Sequence, residues 1–593
     1  MQIVYYYIEE LNDIKQQNIN FGDKYIFNYD PITKELTAEE NELYIENFYG
    51  DNINITAIIG ENGTGKTSLL NKIKTQIDTY YPYEKTLFII KNEDIYHLYS
   101  YGYKVVNKTV VNLDEINNIK IDSDLRFFFP ISNKSNIIYH SNILEFDDKY
   151  NLEYKSKILN ISTHFLMFKK SNKYNDIDKF RNNENLKNIC FISNNNSINK
   201  LINLPNKVEI TIRNLSSLFI LNNIIDNLDT IQEIFNEDSI DNKLKFKIYI
   251  LYNSLIYSSF KIIEIINSSD LSINDKRKFI IQVDLIVKEF IKEISSISLN
   301  KKSILKKIEI IFTKSLKKLT RRKIIKENLI YENILEFISM MDSLIDISNF
   351  NYSSLIEIDI YSNQLYKLVN SSNPIIIDDI FIKFKIRNLS SGERALINLF
   401  SRLYDLIQSK NIEKENIIFL IDEIDLYFHP DWQKQLINKL IDFFKIYFKD
   451  KKIHLIFTAN NPLMISDILS YNTIFLQKID NNTTIINNSL TDHKNTFAAN
   501  IHTLLSDSFF MKNGTMGDFA KNKLNGIIEK LNSKKGTISE TERENIKKTI
   551  KLIGEPIIRK KLMSMYNECF YDDVISRIDR LEELMKKLGD DKN

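Results

Sequence analysis

The sequence predicts a mixed α/β protein built on a parallel sheet. An antiparallel β lobe opens it, a large all-α insertion interrupts it, and a helical C-terminal extension follows. Three observations predict this. Ile55–Leu70 reads as a buried strand, a glycine-rich loop and a helix in direct succession. Asn411–Asn461 reads as strand–helix–strand, the pattern of neighbouring parallel strands. Residues 214–348 carry apolar side chains at helical spacing, in about five helices by periodicity.

In chain order, Ile3–Ile8, Lys24–Tyr29 and Glu42–Ile45 alternate in the manner of strands, with turns such as Asp30-Pro31 between them. The apolar run Ile55–Ile59 comes next. Gly60-Glu61-Asn62-Gly63-Thr64-Gly65-Lys66-Thr67 then matches G-x-x-x-x-G-K-[ST], and Ser68 continues into a helix. Glycines let backbone N–H groups turn inward around a phosphate, and the helix N-terminus favours negative charge. Lys66 is placed for the β- and γ-phosphates and the Thr67 hydroxyl for Mg²⁺. Thr86–Ile90 and Ser135–Tyr139 are further strands, and 150–205 has weak periodicity. The insertion is read as Leu218–Phe235, Leu244–Ile266, Lys278–Ile294, Ile304–Leu319 and Asn328–Ile345. Strands return at Leu355–Ile360 and Phe381–Ile386, and again at Thr473–Leu476 and Thr483–Ile486. From about 493 onward the pattern is helical, closing in Asp572–Leu588 and a frayed tail from Gly589. The expected division is 1–213, 214–348, 349–490 and 491–593, with the first and third parts forming one nucleotide-binding head.

Composition narrows the class. With 43% apolar and 26% charged residues, the 593-residue chain is globular and large enough for several domains. A net charge of +1 predicts no global attraction to nucleic acid or membrane. Two distant cysteines, Cys190 and Cys569, form neither a disulfide framework nor a metal spacing, as in a reducing cytoplasm. The opening residues show no signal-peptide pattern, and no apolar run is long enough to span a membrane.

Two more stretches carry chemistry. Ile417–Ile421 is a run suited to a central strand, and it ends in Asp422 and Glu423. Ligands of open α/β sheets bind at such strand ends. Asp422 would hold Mg²⁺, and Glu423 would polarise the attacking water as catalytic base. Leu389-Ser390-Ser391-Gly392-Glu393 precedes a strong helix, Ala395–Ile407. It offers hydroxyl and N–H groups to a phosphate, although Ser390 or Ser391 with the downstream acid also fits a helix cap.

Taken together these stretches resemble the ATPase heads of the ABC, SMC and RecF-like class. GENGTGKT resembles the Walker A motif, LSSGE the signature and IIFLIDE the Walker B motif, in the family's order and spacing. Asp425 and His429 lie in a stretch similar to the D-loop region of the SMC and RecF-like branch. The resemblance covers 1–145 and 350–490. It implies ATP and Mg²⁺ as cofactors and a homodimer or higher oligomer, in which Ser390 contacts the γ-phosphate held at Lys66 of another copy. Two positions depart from the pattern. Asn460, in TANNP, stands where the family has a switch histidine, which implies slow hydrolysis. No convincing Q-loop glutamine is found, and Ile138-Tyr139-His140-Ser141-Asn142 is the nearest stretch.

A narrower resemblance rests on IENFYGDNINITAIIGENGTGKTSLL, on LSSGE with IDEIDLYFHPDWQ, and on Thr496–Ala520. It is to the AAA-labelled ATPases of bacterial antiphage systems, PtuA of Septu and the retron-associated ATPases. That implies a cytoplasmic regulator working beside a separate nuclease or effector, often of HNH type. A RecF- or SMC-like ATPase of DNA repair or chromosome maintenance is the alternative. Long coiled coils would favour that alternative, and the heptads here are too interrupted for one. The helical insertion argues against a transporter subunit. The missing Glu-Gly strand end and Asp-x-Asp in 493–593 argue against an attached nuclease domain.

One local charge feature remains. Residues 301–326 hold eleven cations against Glu309 alone. Lys306, Lys307, Lys317, Lys318, Arg321 and Arg322 make this a candidate nucleic-acid or partner surface. A solvated helix face is the simpler reading, and no aromatics alternate with the charges for base stacking.

Overall fold

In Asn416–Asp422 the sequence places Ile417, Ile418, Phe419, Leu420 and Ile421 in succession, and all five are buried. Such a run suits a strand covered on both faces. The structure, a computed structural model, shows it as an interior strand, third from one edge of a 12-stranded sheet. It describes residues 1–78, 85–93, 95–103, 105, 119–121, 131, 134–143, 157–168, 177–194, 206–212, 241–269, 271–295, 304–320, 328–352, 355–371, 373, 376, 382–480, 483–487, 495–500, 517–533, 538–570 and 581–582. The chain divides into two compact units, Met1–Phe509 and Phe510–Asn593.

The first unit begins with β1 (Gln2–Leu11), β2 (Ile14–Asn20), β3 (Tyr25–Asp30), β4 (Glu35–Glu40) and β5 (Ile53–Gly60). Helix α1 (Lys66–Asp78), β6 (Thr86–Asn92), β7 (Ile95–Tyr101), β8 (Ile119–Ile121), β9 (Ser135–Ser141) and β10 (Leu159–Asn160) follow. After α2 (Thr163–Phe168), α3 (Ile177–Asn194) and β11 (Lys207–Ile212) come the helices of the insertion. These are α4 (Asn242–Ser268), α5 (Ile273–Ser295), α6 (Ile304–Thr320) and α7 (Asn328–Ile345). Next are β12 (Asn349–Tyr352), β13 (Leu355–Asp359), α8 (Asn363–Val369), β14 (Ile382–Ile386) and α9 (Ser391–Gln408). Last are β15 (Asn416–Asp422), α10 (Pro430–Tyr447), β16 (Lys452–Ala459), β17 (Thr473–Asp480) and β18 (Thr483–Asn487).

One 12-stranded sheet runs β10-β9-β15-β16-β5-β17-β18-β2-β1-β6-β7-β8. From β10 to β17 every pairing is parallel, and β2, β1, β6 and β7 pair antiparallel. The expected β lobe is therefore continuous with the parallel half only in part, because β3 pairs with β4 in a separate two-stranded sheet. Alternation along β15 sorts its side chains. Ile418 and Leu420 join Leu69, Leu70 and Ile73 of α1, while Ile417, Phe419 and Ile421 join the cluster on the other face. There Phe419 stacks on Phe444 of α10 at 5.0 Å, and Phe400 of α9 on Phe443 at 4.9 Å. Each such pair adds about 0.5–1.5 kcal/mol beyond its buried area.

A second, antiparallel sheet, β12-β13-β11-β14, carries the chain into α9. Its edge strand β14 does not stand bare. Asn182 Nδ2 and Asn185 Nδ2 of α3 donate to the carbonyls of Ile382 (2.8 Å) and Phe384 (2.7 Å), and Asn182 Oδ1 accepts from the Phe384 N–H at 2.7 Å. Helix α3 is also bonded to α9. Arg402, 1% exposed, donates from Nε to Glu184 Oε2 at 2.8 Å and from Nη1 to the carbonyl of Ile161 at 2.9 Å. Ser401 Oγ donates to Asn188 Oδ1 at 2.6 Å.

Four differences from expectation follow from local chemistry. Glu42–Ile45 is a turn, not a strand, because Asn41 accepts from the Leu43 N–H through its side chain and from Tyr44 through its carbonyl. The strand there is β4 instead. Ile14–Asn20, unassigned in the sequence, forms β2 against β1. Helix α3 was hidden because its asparagines face the protein and blunt its apolar periodicity. Strand β14 leads into a helix that starts at Ser391, ahead of the expected Ala395. The expected helix Leu218–Phe235 and the stretch Asp572–Leu588 with its tail lie outside the described residues, apart from 581–582.

The second unit holds α11 (Asp518–Asn532), α12 (Glu540–Lys551) and a helical stretch at 556–570. Ile527, Leu531, Ile546, Ile550, Leu562 and Phe570 form its core. Among the described residues no helix is long and apolar enough to cross a membrane.

Candidate nucleotide site

The loop between β5 and α1 is shaped by its glycines. Gly63 and Gly65 have φ of +79° and +91°, where a side chain would be strained. Gly60 needs space: a Cβ there would sit 2.3 Å from the carbonyl oxygen of Leu476. Thr64 closes the turn, its hydroxyl donating to the carbonyl of Glu61 at 2.8 Å. Lys66 folds back over the loop, its Nζ donating to the carbonyls of Gly60 (2.8 Å) and Glu61 (3.0 Å). Burial pulls its ammonium below the usual lysine range, and the nearby carboxylates of Glu423, Asp425 and Asp422 oppose that.

The parallel register brings the ends of β15 and β16 beside this loop. Asp422 is 1% exposed. Its Oδ1 accepts from the hydroxyls of Thr67 (3.2 Å) and Thr458 (2.6 Å). Its Oδ2 is buried without a partner. Desolvation raises the proton affinity of this carboxyl, against the two hydroxyl bonds. Glu423 follows with φ of +46°, its N–H bonded to Thr458 Oγ1. Asp425 is buried, and its Oδ2 accepts from the Asn460 N–H at 3.0 Å. Desolvation raises its pKa as well.

A cleft of about 310 Å³ opens beside these groups, lined among others by Asn62–Ser68, Glu423 and Asn460. Its lining of a glycine-rich loop at a helix N-terminus, with Lys66 and Glu423, suits a polyphosphate. The orphaned Asp422 oxygen and the Thr67 hydroxyl fit a hard divalent cation that takes its remaining ligands from phosphate and water. Among the described residues no group of three His, Cys, Asp or Glu side chains offers an all-protein metal cage.

The structure brings Gly60–Ser68, Asp422, Glu423 and Asn460 together. Leu389–Glu393 lies apart from the residues lining that cleft. Ser390 is exposed and caps α9: its Oγ accepts from the Glu393 N–H at 3.2 Å, and Glu393 Oε2 accepts from the Ser390 N–H at 2.8 Å. Gly392 packs against the D-loop region, where a Cβ would lie 2.9 Å from the Tyr427 carbonyl. His429 is exposed and caps α10. Asn461 uses its side chain to accept from the Leu463 N–H, so Asn460 alone of the pair lines the cleft. His140 turns into the interior. Burial, then the Arg402 charge, push its pKa down to about 3, and its Nδ1 lies 3.3 Å from the Ile161 carbonyl.

Three participants went unread in the sequence. Asn12 and Asp13, the turn between β1 and β2, line the cleft, and Asn12 Nδ2 donates to Ser68 Oγ at 3.3 Å. An Asn-Asp pair between two alternating runs was the available hairpin signal. The third, Thr458, is a lone hydroxyl at the end of an apolar strand, which no pattern marks. On the insertion, Lys306, Lys307, Lys317 and Lys318 are exposed on α6. Lys318 pairs with Glu289 at 2.6 Å and Lys314 with Glu293 at 3.0 Å, both across to α5. Arg321 and Arg322 lie outside the described residues. So does most of Thr496–Ala520; at its start Thr496 is fully buried and donates to the Ile468 carbonyl at 2.5 Å.

Residues 114–466 match the family described as "AAA domain, putative AbiEii toxin, Type IV TA system", and residues 56–165 match the RNA helicase family. The chain is 33% identical over 103 residues to the "Retron Vc95 probable ATPase" of Vibrio cholerae serotype O1 biovar El Tor, which is 16% of this chain and 19% of that one. It is 27% identical over 150 residues to the "Septu protein PtuA" of Bacillus mycoides (strain KBAB4), covering 24% and 20%. It is 30% identical over 116 residues to the "Retron Ec83 probable ATPase" of Escherichia coli, covering 19% and 20%. The matches thus span about a fifth of the length of these curated relatives.

Proposed function

The chain belongs to the AAA-domain family matched over residues 114–466, and from that premise we propose that it is a Mg²⁺-dependent ATPase that controls a partner effector in bacterial antiphage defence. One observation carries the chemistry: the hydrogen bond from Thr67 to Asp422 ties the phosphate loop to the acidic end of β15, 355 residues away in sequence. The defence role follows the names of the relatives.

The assigned roles follow from the geometry above. Backbone N–H groups of Gly60–Ser68 cradle the phosphates, and Lys66 exchanges its carbonyl partners for phosphate oxygens. Asn12 and Asp13 border the same cleft. Thr67 and Asp422 hold Mg²⁺, which neutralises charge on the β- and γ-phosphates. Glu423, beside the cleft, accepts the proton of the attacking water. Asn460 presents a neutral donor where a charged one would stabilise the developing charge better, so turnover is slow. Asp425 and His429 keep the D-loop region in shape through Asn460 and α10.

The head arrangement we favour is that of ABC and SMC ATPases, working as a homodimer or larger assembly. Ser390 and Ser391 are exposed, and Leu389–Glu393 is absent from the cleft lining, which supports a role toward another copy's nucleotide. Lys306, Lys307, Lys317 and Lys318 remain the surface for an effector or nucleic acid, with the ion pairs to α5 reducing the free charge. The test is ATP turnover by the purified protein with Mg²⁺, alongside Glu423→Gln. Hydrolysis by the wild type, with ATP retained and unhydrolysed in the variant, is expected. No turnover by the wild type, alone or with its effector, refutes the ATPase reading. For the defence role, the Glu423→Gln locus should lose phage protection in a susceptible host.

A further inference from the structure

Thr458 is the penultimate residue of strand β16 and is fully buried. Its hydroxyl makes two bonds with one proton. It donates to Asp422 Oδ1 at 2.6 Å and accepts from the Glu423 N–H at 2.7 Å. Its carbonyl accepts from the Ile424 N–H at 3.1 Å. A single residue thus holds three consecutive positions of the neighbouring strand end.

The conformation it holds is one that L side chains rarely adopt. Glu423 has φ of +46°; backbone bonds flank it, from the Ile424 N–H to Thr458 and from the Leu426 N–H to the Glu423 carbonyl, and the Thr458 hydroxyl is the side-chain ligand of its own N–H. Relaxing φ would swing the Cα–Cβ bond and carry the carboxylate away from the cleft. The same hydroxyl fixes Asp422. With Thr67 and Thr458 both on Oδ1, the other oxygen, Oδ2, is the one left without a partner.

We infer that Thr458 is a positioning residue of the nucleotide site: its hydroxyl aims the Glu423 carboxylate at the cleft and assigns one oxygen of Asp422 to the cation. This rests on the ATPase reading above. The rival account is that Thr458 fills space under the sheet, which valine would do as well.

The experiment uses the full chain with Thr458→Val, which keeps the shape and removes the hydroxyl, and Thr458→Ser, which keeps the hydroxyl. Loss of a residue that orients a metal ligand typically slows a reaction about 10- to 100-fold. That is the expected fall in single-turnover hydrolysis at saturating ATP for the valine variant, with serine restoring most of the rate. ATP affinity in EDTA should stay near wild type in both, because neither touches the phosphate loop. Amide hydrogen exchange gives an independent readout without nucleotide. The Glu423 N–H should be protected in the wild type and in the serine variant, and exchange faster in the valine variant. Wild-type hydrolysis by the valine variant overturns the inference, as does equal slowing by serine and valine. Should the valine variant not fold, an unprotected Glu423 amide in the wild type still overturns it. Absence of ATP hydrolysis by the wild type would instead remove the ATPase reading, leaving the exchange comparison to judge the clamp.

Discussion

Replacing Lys66 by alanine tests the phosphate loop at its most exposed assumption. Nζ already has two acceptors in the protein itself, the carbonyls of Gly60 and Glu61 at 2.8 and 3.0 Å. Binding therefore trades carbonyl partners for charged phosphate oxygens, so the gain is the difference between two kinds of bond. A hydrogen bond to a charged group nets about 1.5–3 kcal/mol. At a site where Lys66 is 7% exposed, water weakens it little. Allowing for a second contact and the traded carbonyls, the loss is about 2–4 kcal/mol. At about 1.4 kcal/mol per factor of ten, ATP affinity should fall roughly 30-fold to several hundredfold. Titration calorimetry in EDTA isolates this term from the cation. The nucleotide-free variant should melt no lower than wild type, since burial disfavours the ammonium it removes. An affinity within about threefold of wild type, a difference of under 1 kcal/mol, would refute the assignment of the loop.

Three further outcomes are expected. Asn460→His adds a stronger donor at the cleft and should raise single-turnover hydrolysis by up to about 10²-fold with ATP affinity little changed; an unaltered rate counts against Asn460 as the brake. Ser390→Arg breaks a capping box, lowering stability by about 1 kcal/mol, and should leave ATP binding intact while abolishing turnover; unchanged hydrolysis refutes a role for this stretch at a neighbouring copy's nucleotide. Asp422→Asn should end hydrolysis yet raise the melting temperature of the nucleotide-free protein at neutral pH. The sign follows from the raised pKa: the folded state favours the protonated acid, so this stability is full below the unfolded value of about 3.9 and lost as pH rises through the folded value. The advantage of the variant should therefore shrink on acidification toward pH ~4, and an advantage independent of pH would assign it to another cause.

The glycine-rich loop, β15 and the four described helices of the insertion could be read directly because their signals are local. GENGTGKT has fixed spacing, Ile417–Ile421 is an unbroken apolar run, and Asn328–Ile345 has the bounds expected of it. What escaped reading depends on pairing. Asn182 and Asn185 look like surface residues until β14 stands beside them, and Thr458 is ordinary until Asp422 and Glu423 arrive from another strand. Glu42–Ile45 failed differently: it alternates like a strand, and the Asx turn at Asn41 overrode the pattern.

Helix α3 has a consequence for the stretch Leu389–Arg394, whose Ser390, Ser391 and Arg394 are exposed. That stretch joins β14 to α9, and α3 is bonded to both: to β14 through Asn182 and Asn185, and to α9 through Glu184 and Asn188. At its root Arg387 pairs with Glu209 and Glu357 on neighbouring strands. Both anchorages of the stretch are thus splinted to one rigid rod, and it is stiff before anything touches it. A surface that docks there forfeits little backbone entropy in ordering it, so even a modest contact area can hold. The same stiffness makes the stretch a handle: whatever grips it and pulls turns the second sheet and α9 as one body.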